Sequence, residues 1–204
     1  MSLEEILSRP AVCLALLGIL VMTVGLMCVR RDKMSTTVLV QTSLLLALAV
    51  VLEQLRIFHM PQGGSITVGS MVPLLLIGYR FGVGTGMLAG FVYGMINMIQ
   101  DPFILHPVQV LFDYPLPFMA MGLAGLSRQY LYLGTGLAFL ARFCCHFISG
   151  VVFFGSYAPE GMSPVWYSLV ANATYLVPEM LICCVILKVL PVKKITEQAI
   201  MSHM

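Results

Sequence analysis

The sequence predicts an all-α integral membrane protein of about seven spans, and three observations lead there. Of 204 residues, 59% are hydrophobic and only 10% charged, where a soluble domain carries about a quarter charged residues. Mean hydropathy is +0.96. Apolar windows near the roughly 20 residues of a spanning helix recur along the chain between short polar breaks, and they leave no stretch for a second, soluble domain.

The first window, 10 to 29, is followed by Arg30, Arg31 and Lys33 rather than by a small-residue cleavage site. It therefore reads as a retained helix and not as a signal peptide. The remaining spans are expected at about 37 to 57, 66 to 79, 83 to 100, 107 to 126, 133 to 155 and 165 to 190. The span at 66 to 79 is short and bracketed by Gly63, Gly64, Gly69 and Pro73. The next carries Gly86, Gly90 and Gly94, a repeated GxxxG that lets helix backbones approach closely in lipid. Its start, FGVGTGMLAG, lacks the preceding strand and the Lys-Ser/Thr of a nucleotide loop, so it reads as packing. Asn172-Ala-Thr174 fits a glycosylation sequon but falls inside the last span, out of reach of a transferase. The six cysteines lie in apolar windows without metal or redox spacing.

Cytoplasmic loops collect Lys and Arg. Arg30, Arg31, Lys33, Arg80, Arg128, Lys188, Lys193 and Lys194 fall on one side, and only Arg9 and Arg56 on the other. The loops RIFHMPQGGSIT, QDPFILHP and GSYAPEGMSP are thus expected to face outward, with the C-terminus cytoplasmic and the N-terminus outside. A net charge of +2 with no basic aromatic cluster gives no nucleic-acid site.

Ionisable residues inside a span are costly and are functional candidates; here they are Glu53, Asp113, Arg142, His146 and Glu179. Asp113 lies about seven residues below the outer loop, roughly 10 Å into the bundle, and Pro115 and Pro117 loosen the backbone behind it. A ligand-facing carboxylate and an internal partner for Arg142 fit it equally. His146 lies one turn outward from Arg142, and the outer half of its helix adds Phe153, Phe154 and Tyr157. Ser168, Asn172, Tyr175 and Glu179 share one face of the last span, a polar stripe that must look inward. Tyr167 points about 140° away from Asn172 on an ideal helix and joins them only from the first turn. Trp166 and Tyr157 also suit an interfacial aromatic belt.

Asp113, Tyr114, His146, Asn172 and the aromatics converge toward the outer half of the bundle. This composition suits a small, flat, cationic or amine-bearing heterocycle: rings stack and attract positive charge, a carboxylate neutralises it, and amides and hydroxyls orient it. No second acid, activated nucleophile or metal-ligand set is expected beside Asp113, so no catalysis is expected.

The motifs MPQGGSIT (60 to 67), HPVQVLFDY (106 to 114), RFCCHFISGVVFFGSYAPEG (142 to 161) and PVWYSLVANATYLVP (164 to 178) resemble the thiamine-specific substrate-binding subunits, ThiT or YuaJ, of energy-coupling factor (ECF) transporters. The resemblance covers about residues 36 to 195, in the family's order and loop lengths. It implies a six-helix ECF S-component bundle at 36–204, with both ends of that core cytoplasmic, preceded at 1–35 by an extra N-terminal transmembrane helix and a basic linker. It also implies capture of thiamine outside and delivery inward by reorientation in a complex with a transmembrane coupling subunit and two ATPase subunits. ATP is used there, with no cofactor in this chain.

Carried over by motif, the thiamine-binding residues are Asp113, Tyr114, His146, Phe154, Tyr167, Asn172 and Phe103. Asp113 accepts from the aminopyrimidine or offsets the thiazolium charge; Tyr167 and Asn172 hydrogen-bond the pyrimidine edge; His146, Tyr114 and Phe154 offer ring faces. Some members have Glu at Asp113, Trp at Phe154 and Tyr at Phe103, and a loop Trp is replaced within Gly63 and Gly64. Ser43 and Ala47, a small-xxx-small pair, occupy the family's contact with the coupling subunit; packing within this chain is the equal alternative. The competing function is a stand-alone proton-coupled thiamine carrier with His146 or Glu179 as relay, against which stands the lack of an inverted repeat. An intramembrane enzyme with Asp113 and His146 as acid and base has no nucleophile motif behind it. A sibling binding subunit for another vitamin is separated by ligand competition.

Overall fold

The computed structural model describes residues 10–29 and 34–192. Arg9, Arg30, Arg31, Lys33, Lys193 and Lys194, on which much of the charge asymmetry rests, lie outside the described residues, as do parts of the expected 1–35 and 36–204 units.

The chain runs through helices α1 (Pro10–Val29) and α2 (Thr36–Glu53), a hairpin of β1 (Arg56–His59) and β2 (Ser65–Thr67), and helices α3 (Val72–Phe81) and α4 (Val83–Gln100). It continues through α5 (Pro107–Asp113), α6 (Pro115–Met119), a 3-10 segment (Ala120–Ser127), α7 (Leu131–Phe153), a 3-10 turn (Gly155–Tyr157) and α8 (Pro164–Val189). Helix starts follow local chemistry: the Ser35 and Ser163 hydroxyls accept from the N–H groups of Val38 and Trp166, both at 3.3 Å, and Pro164 opens α8 where its missing N–H costs nothing. Among the described residues, four helical stretches are long and apolar enough to cross a membrane: Thr36–Glu53, Pro107–Ser127, Leu131–Phe153 and Pro164–Val189. Large apolar side chains such as Leu20, Leu44, Leu140 and Val185 line the outside, as a lipid-facing surface requires.

Two spans differ from expectation. The expected span at 66 to 79 begins only at Val72, and its first residues form β2, which pairs antiparallel with β1 (Arg56 with Thr67, Phe58 with Ile66). Gly63 and Gly64 make the turn at φ 91° and 93°, a region open to glycine. What remains, α3, has 10 residues and rises about 15 Å, half a bilayer core. The expected span at 107 to 126 is broken after Asp113, where Tyr114 leaves helical geometry at φ −117°, ψ −79°. The reason is chemical: Pro115 and Pro117 have no N–H to give to the carbonyls of Leu111 and Asp113.

The glycine series on α4 receives this broken segment. A Cβ at Gly90 would fall 2.1 Å from the Phe118 carbonyl oxygen, one at Gly94 2.5 Å from that of Tyr114, and one at Gly86 2.7 Å from the Gly122 Cα. Backbone thus lies on backbone, the close approach that the GxxxG spacing anticipates. Helix α8 packs on α7 across Gly150, and α1 lies against α4, α5 and α6. The core runs through α3, with Leu74, Leu75 and Ile77 fully buried.

Candidate ligand-binding site

A cavity with about 950 Å³ of atom-free space, its open mouth included, lies between α2, the hairpin, α4, α5, α6, α7 and α8. Asp113, Tyr114, His146, Phe154, Tyr167 and Asn172 all line it, so three separated stretches of sequence meet around one void. Phe103 does not line it. Its ring stacks behind Phe154, with centroids 5.6 Å apart and planes at 21°, because Tyr114 pins its backbone one layer out.

Asp113 sits at the end of α5, where the break turns it toward α7. Gln109 Nε2, one turn earlier, donates to its Oδ2 at 2.5 Å, and His146 Nδ1 lies 3.3 Å from its Oδ1. Arg142 makes no ion pair with Asp113. Its Nε donates to His146 Nε2 at 3.5 Å, which leaves the ring proton on Nδ1, facing the carboxylate. The guanidinium carbon lies 4.6 Å over the Phe118 ring, and the buried Nη1 has no partner. Tyr114 does two things. Its ring faces the cavity, while its hydroxyl donates to the Asp101 carbonyl at 2.9 Å and accepts from the Phe103 N–H at 2.7 Å, fixing the loop after α4.

The stripe on α8 faces inward as its spacing predicts: Ser168, Asn172, Tyr175 and Glu179 are all buried. Ser168 Oγ donates to the Phe147 carbonyl at 2.8 Å, and Asn172 Nδ2 donates to the carbonyls of Ser168 (2.9 Å) and His146 (3.3 Å). Tyr175 donates to Asn172 Oδ1 at 3.0 Å. The helices that carry His146 and Asn172 are therefore held in register by side chains of the site itself. Tyr167 reaches the cavity from the first turn of α8.

Sequence reasoning named Glu53 and Glu179 as candidates but did not place them beside Asp113, and it passed over Asp101. Glu53, Asp101 and Glu179 line the same cavity as Asp113, contrary to the expectation of no second acid. Glu179 accepts from the Thr67 N–H and hydroxyl, both at 2.6 Å, and Glu53 accepts from Ser70 Oγ (2.8 Å) and Tyr93 Oη (3.0 Å). Hydrogen bonds to carboxylates repay their burial. At the mouth, Arg56 Nη1 lies 2.7 Å from Asp101 Oδ2 and ties the hairpin to the loop after α4. With Arg56 counted on Asp101, four carboxylates stand against two guanidinium groups and one imidazole, an excess of acid that suits a cation. The signal for Glu53 and Glu179 was their place inside spans; Gln109 was signalled by its spacing of four from Asp113.

Trp166 and Tyr157 are exposed, in keeping with a belt, although Tyr157 also tilts against Phe154 with ring centroids 6.0 Å apart. Ser43 and Ala47 are exposed on α2, so neither is buried against another helix of this chain.

Membrane-spanning helices around a polar, acid-rich cavity define a multi-pass membrane protein with a candidate ligand site. The family model described as "Thiamine transporter protein (Thia_YuaJ)" matches residues 39–198. The chain is 38% identical to the thiamine transporter ThiT of Bacillus subtilis, over 73% of this chain and 87% of that one, and 29% identical to ThiT of Lacticaseibacillus paracasei, over 66% and 77%. Its fold is similar to the solved structure of ThiT from Listeria monocytogenes, with TM-score 0.70 and 23% identity over 78% of this chain and 94% of that one. The chain belongs to the Thia_YuaJ family, which consists of transporters and not enzymes.

Proposed function

We propose that this protein is the thiamine-binding S-component of an ECF-type transporter, capturing thiamine from outside and passing it inward with an ATP-driven coupling module. The observation that carries the reading is the meeting of Asp113, His146, Tyr167 and Asn172 around one cavity whose charge balance favours a cation. Family membership supports the ligand. In this reading Asp113 meets the charge or amine of the vitamin, Tyr167 and Asn172 address the pyrimidine edge, and His146, Tyr114 and Phe154 offer faces. Phe103 acts from behind Phe154, stiffening it.

The proposed orientation puts the hairpin and the loop after α4 outside and Arg80, Arg128 and Lys188 in the cytoplasm. Both ends of the 36–204 core are then cytoplasmic, and α1 carries the chain's N-terminus outside. The exposed Ser43 and Ala47 form the close-contact seam for the coupling subunit, and two ATPase subunits supply the ATP hydrolysis that this chain, holding no cofactor, does not perform. Calorimetry of the purified chain against thiamine, riboflavin and biotin tests the ligand: tight binding of thiamine alone is expected, and preference for either other vitamin overturns it.

A further inference from the structure

Helix α1 begins the described chain and lies outside residues 39–198, which match the family. It is nevertheless seated. Gly18 and Gly25, seven residues apart and so on one stripe, are buried. A Cβ at Gly18 would stand 3.2 Å from the Phe112 ring and 3.4 Å from Leu116; one at Gly25 would stand 2.6 and 2.8 Å from the methyls of Met87 and Met119. Phe112, Leu116 and Met119 form one stripe along α5 and α6, none more than 5% exposed. The other side of the same segment, Asp113, Tyr114 and Phe118, lines the cavity.

Between those two sides runs the proline break, with the Leu111 and Asp113 carbonyls deprived of their helical donors. Backbone irregular at membrane depth is stable only where protein covers it; α4 covers the Tyr114 and Phe118 carbonyls, and α1 covers the flank of Phe112, Leu116 and Met119. We propose that α1 is a strut for the site: by seating Phe112, Leu116 and Met119 it holds the break in register, which keeps Asp113 within reach of His146 and Gln109 and keeps Tyr114 on the loop after α4. The strut acts through Asp113 and touches no ligand. Its effect on thiamine rests on the reading above, whereas its effect on the break does not.

The test compares the full chain with one starting at Met34, each with and without Asp113→Asn, in the same detergent. Loss of α1 is expected to weaken thiamine binding about tenfold, chiefly through faster release. Asp113→Asn is expected to cost less in the shortened chain, because both changes act through one group. Equal affinity, or losses that simply add, overturns the proposal. Gly18→Leu in the full chain, which wedges the seam apart, is expected to give the same loss if the shortened chain does not fold. Amide hydrogen exchange reads the strut without ligand: exchange over residues 110 to 119 is expected to quicken in the shortened chain or in Gly18→Leu while that of α7 and α8 stays unchanged. Identical exchange sinks the strut even if thiamine binds, and a full chain that ignores thiamine but shows this pattern sinks only the ligand.

Discussion

Replacing Gly150 by alanine tests the joint between α7 and α8 more sharply than any change to a charged residue. The new methyl would sit 2.2 Å from Ser168 Oγ and 2.9 Å from Ser168 Cβ. Rotating the serine hydroxyl away relieves the first clash but not the second, since Cβ is fixed by the backbone. The two helices must therefore part by roughly 1 Å to reach ordinary contact. Parting breaks the two bonds that cross the joint, Ser168 Oγ to the Phe147 carbonyl and Asn172 Nδ2 to the His146 carbonyl. At about 1 kcal/mol each, with a further 1–3 kcal/mol or so for overpacking, the loss is about 3 to 5 kcal/mol of stability. Asn172 moves with the joint, so thiamine affinity is expected to fall at least about tenfold, or 1.4 kcal/mol. Gly136→Ala is the control on the same helix, because nothing lies within 4 Å of the added carbon; it should be neutral or stabilise by up to about 1 kcal/mol. Thermal unfolding and thiamine titration of both variants check this. If Gly150→Ala melts and binds like Gly136→Ala, the described contact between α7 and α8 is wrong.

Asp113→Asn is expected to weaken thiamine binding by at least about 1.4 kcal/mol in a detergent titration, and unchanged affinity would remove Asp113 from the site. Glu179→Ala removes the carboxylate that accepts from both the N–H and the hydroxyl of Thr67, a residue 1% exposed whose hydroxyl keeps only Ser70, and is expected to cost about 3 kcal/mol by thermal unfolding, with Glu179→Gln milder because it keeps an acceptor. Asp101→Asn loosens a tie whose side chains are 23% and 37% exposed, so stability should change by no more than about 1 kcal/mol and the change should shrink in high salt. Ala47→Trp is expected to abolish uptake by whole cells while leaving thiamine binding intact; loss of both together would point to misfolding.

Much of the site was legible because apolar spans make an ionisable residue conspicuous. Asp113 and His146 stood out for that reason, and the stripe from Ser168 to Glu179 followed from helical spacing alone. Glu53 and Glu179 were equally visible, but their tie to the cavity depends on Thr67 and Ser70, which arrive through a hairpin that hydropathy does not register. The same blindness merged Ile66 and Thr67 with α3, although Gly63, Gly64 and Pro73 marked the boundary. Pro115 and Pro117 announced a break in the fourth core span without revealing that Tyr114 would turn there and spend its hydroxyl on a loop. Phe103 shows the limit of carrying residues over by motif: stacking one ring behind another is set by backbone position, which the motif does not encode.

The seam at the end of the bundle away from the cavity mouth has a mechanical consequence. There Gly78, Gly86, Gly122 and Gly125 bring three backbones together with no side chain between them: a Cβ at Gly125 would lie 2.5 Å from the Gly78 carbonyl oxygen, and one at Gly122 2.3 Å from the Met87 nitrogen. Interlocked main chains have no rotamers to shuffle and no slack through which a vitamin-sized body could slip. The seam joining α3, α4 and the 3-10 segment is thus locked backbone to backbone, whereas the rim is tied by side chains alone, Arg56 to Asp101. Under the proposed function, cargo would find no passage through this seam, and delivery inward would call for the vessel to turn rather than for these three main chains to part.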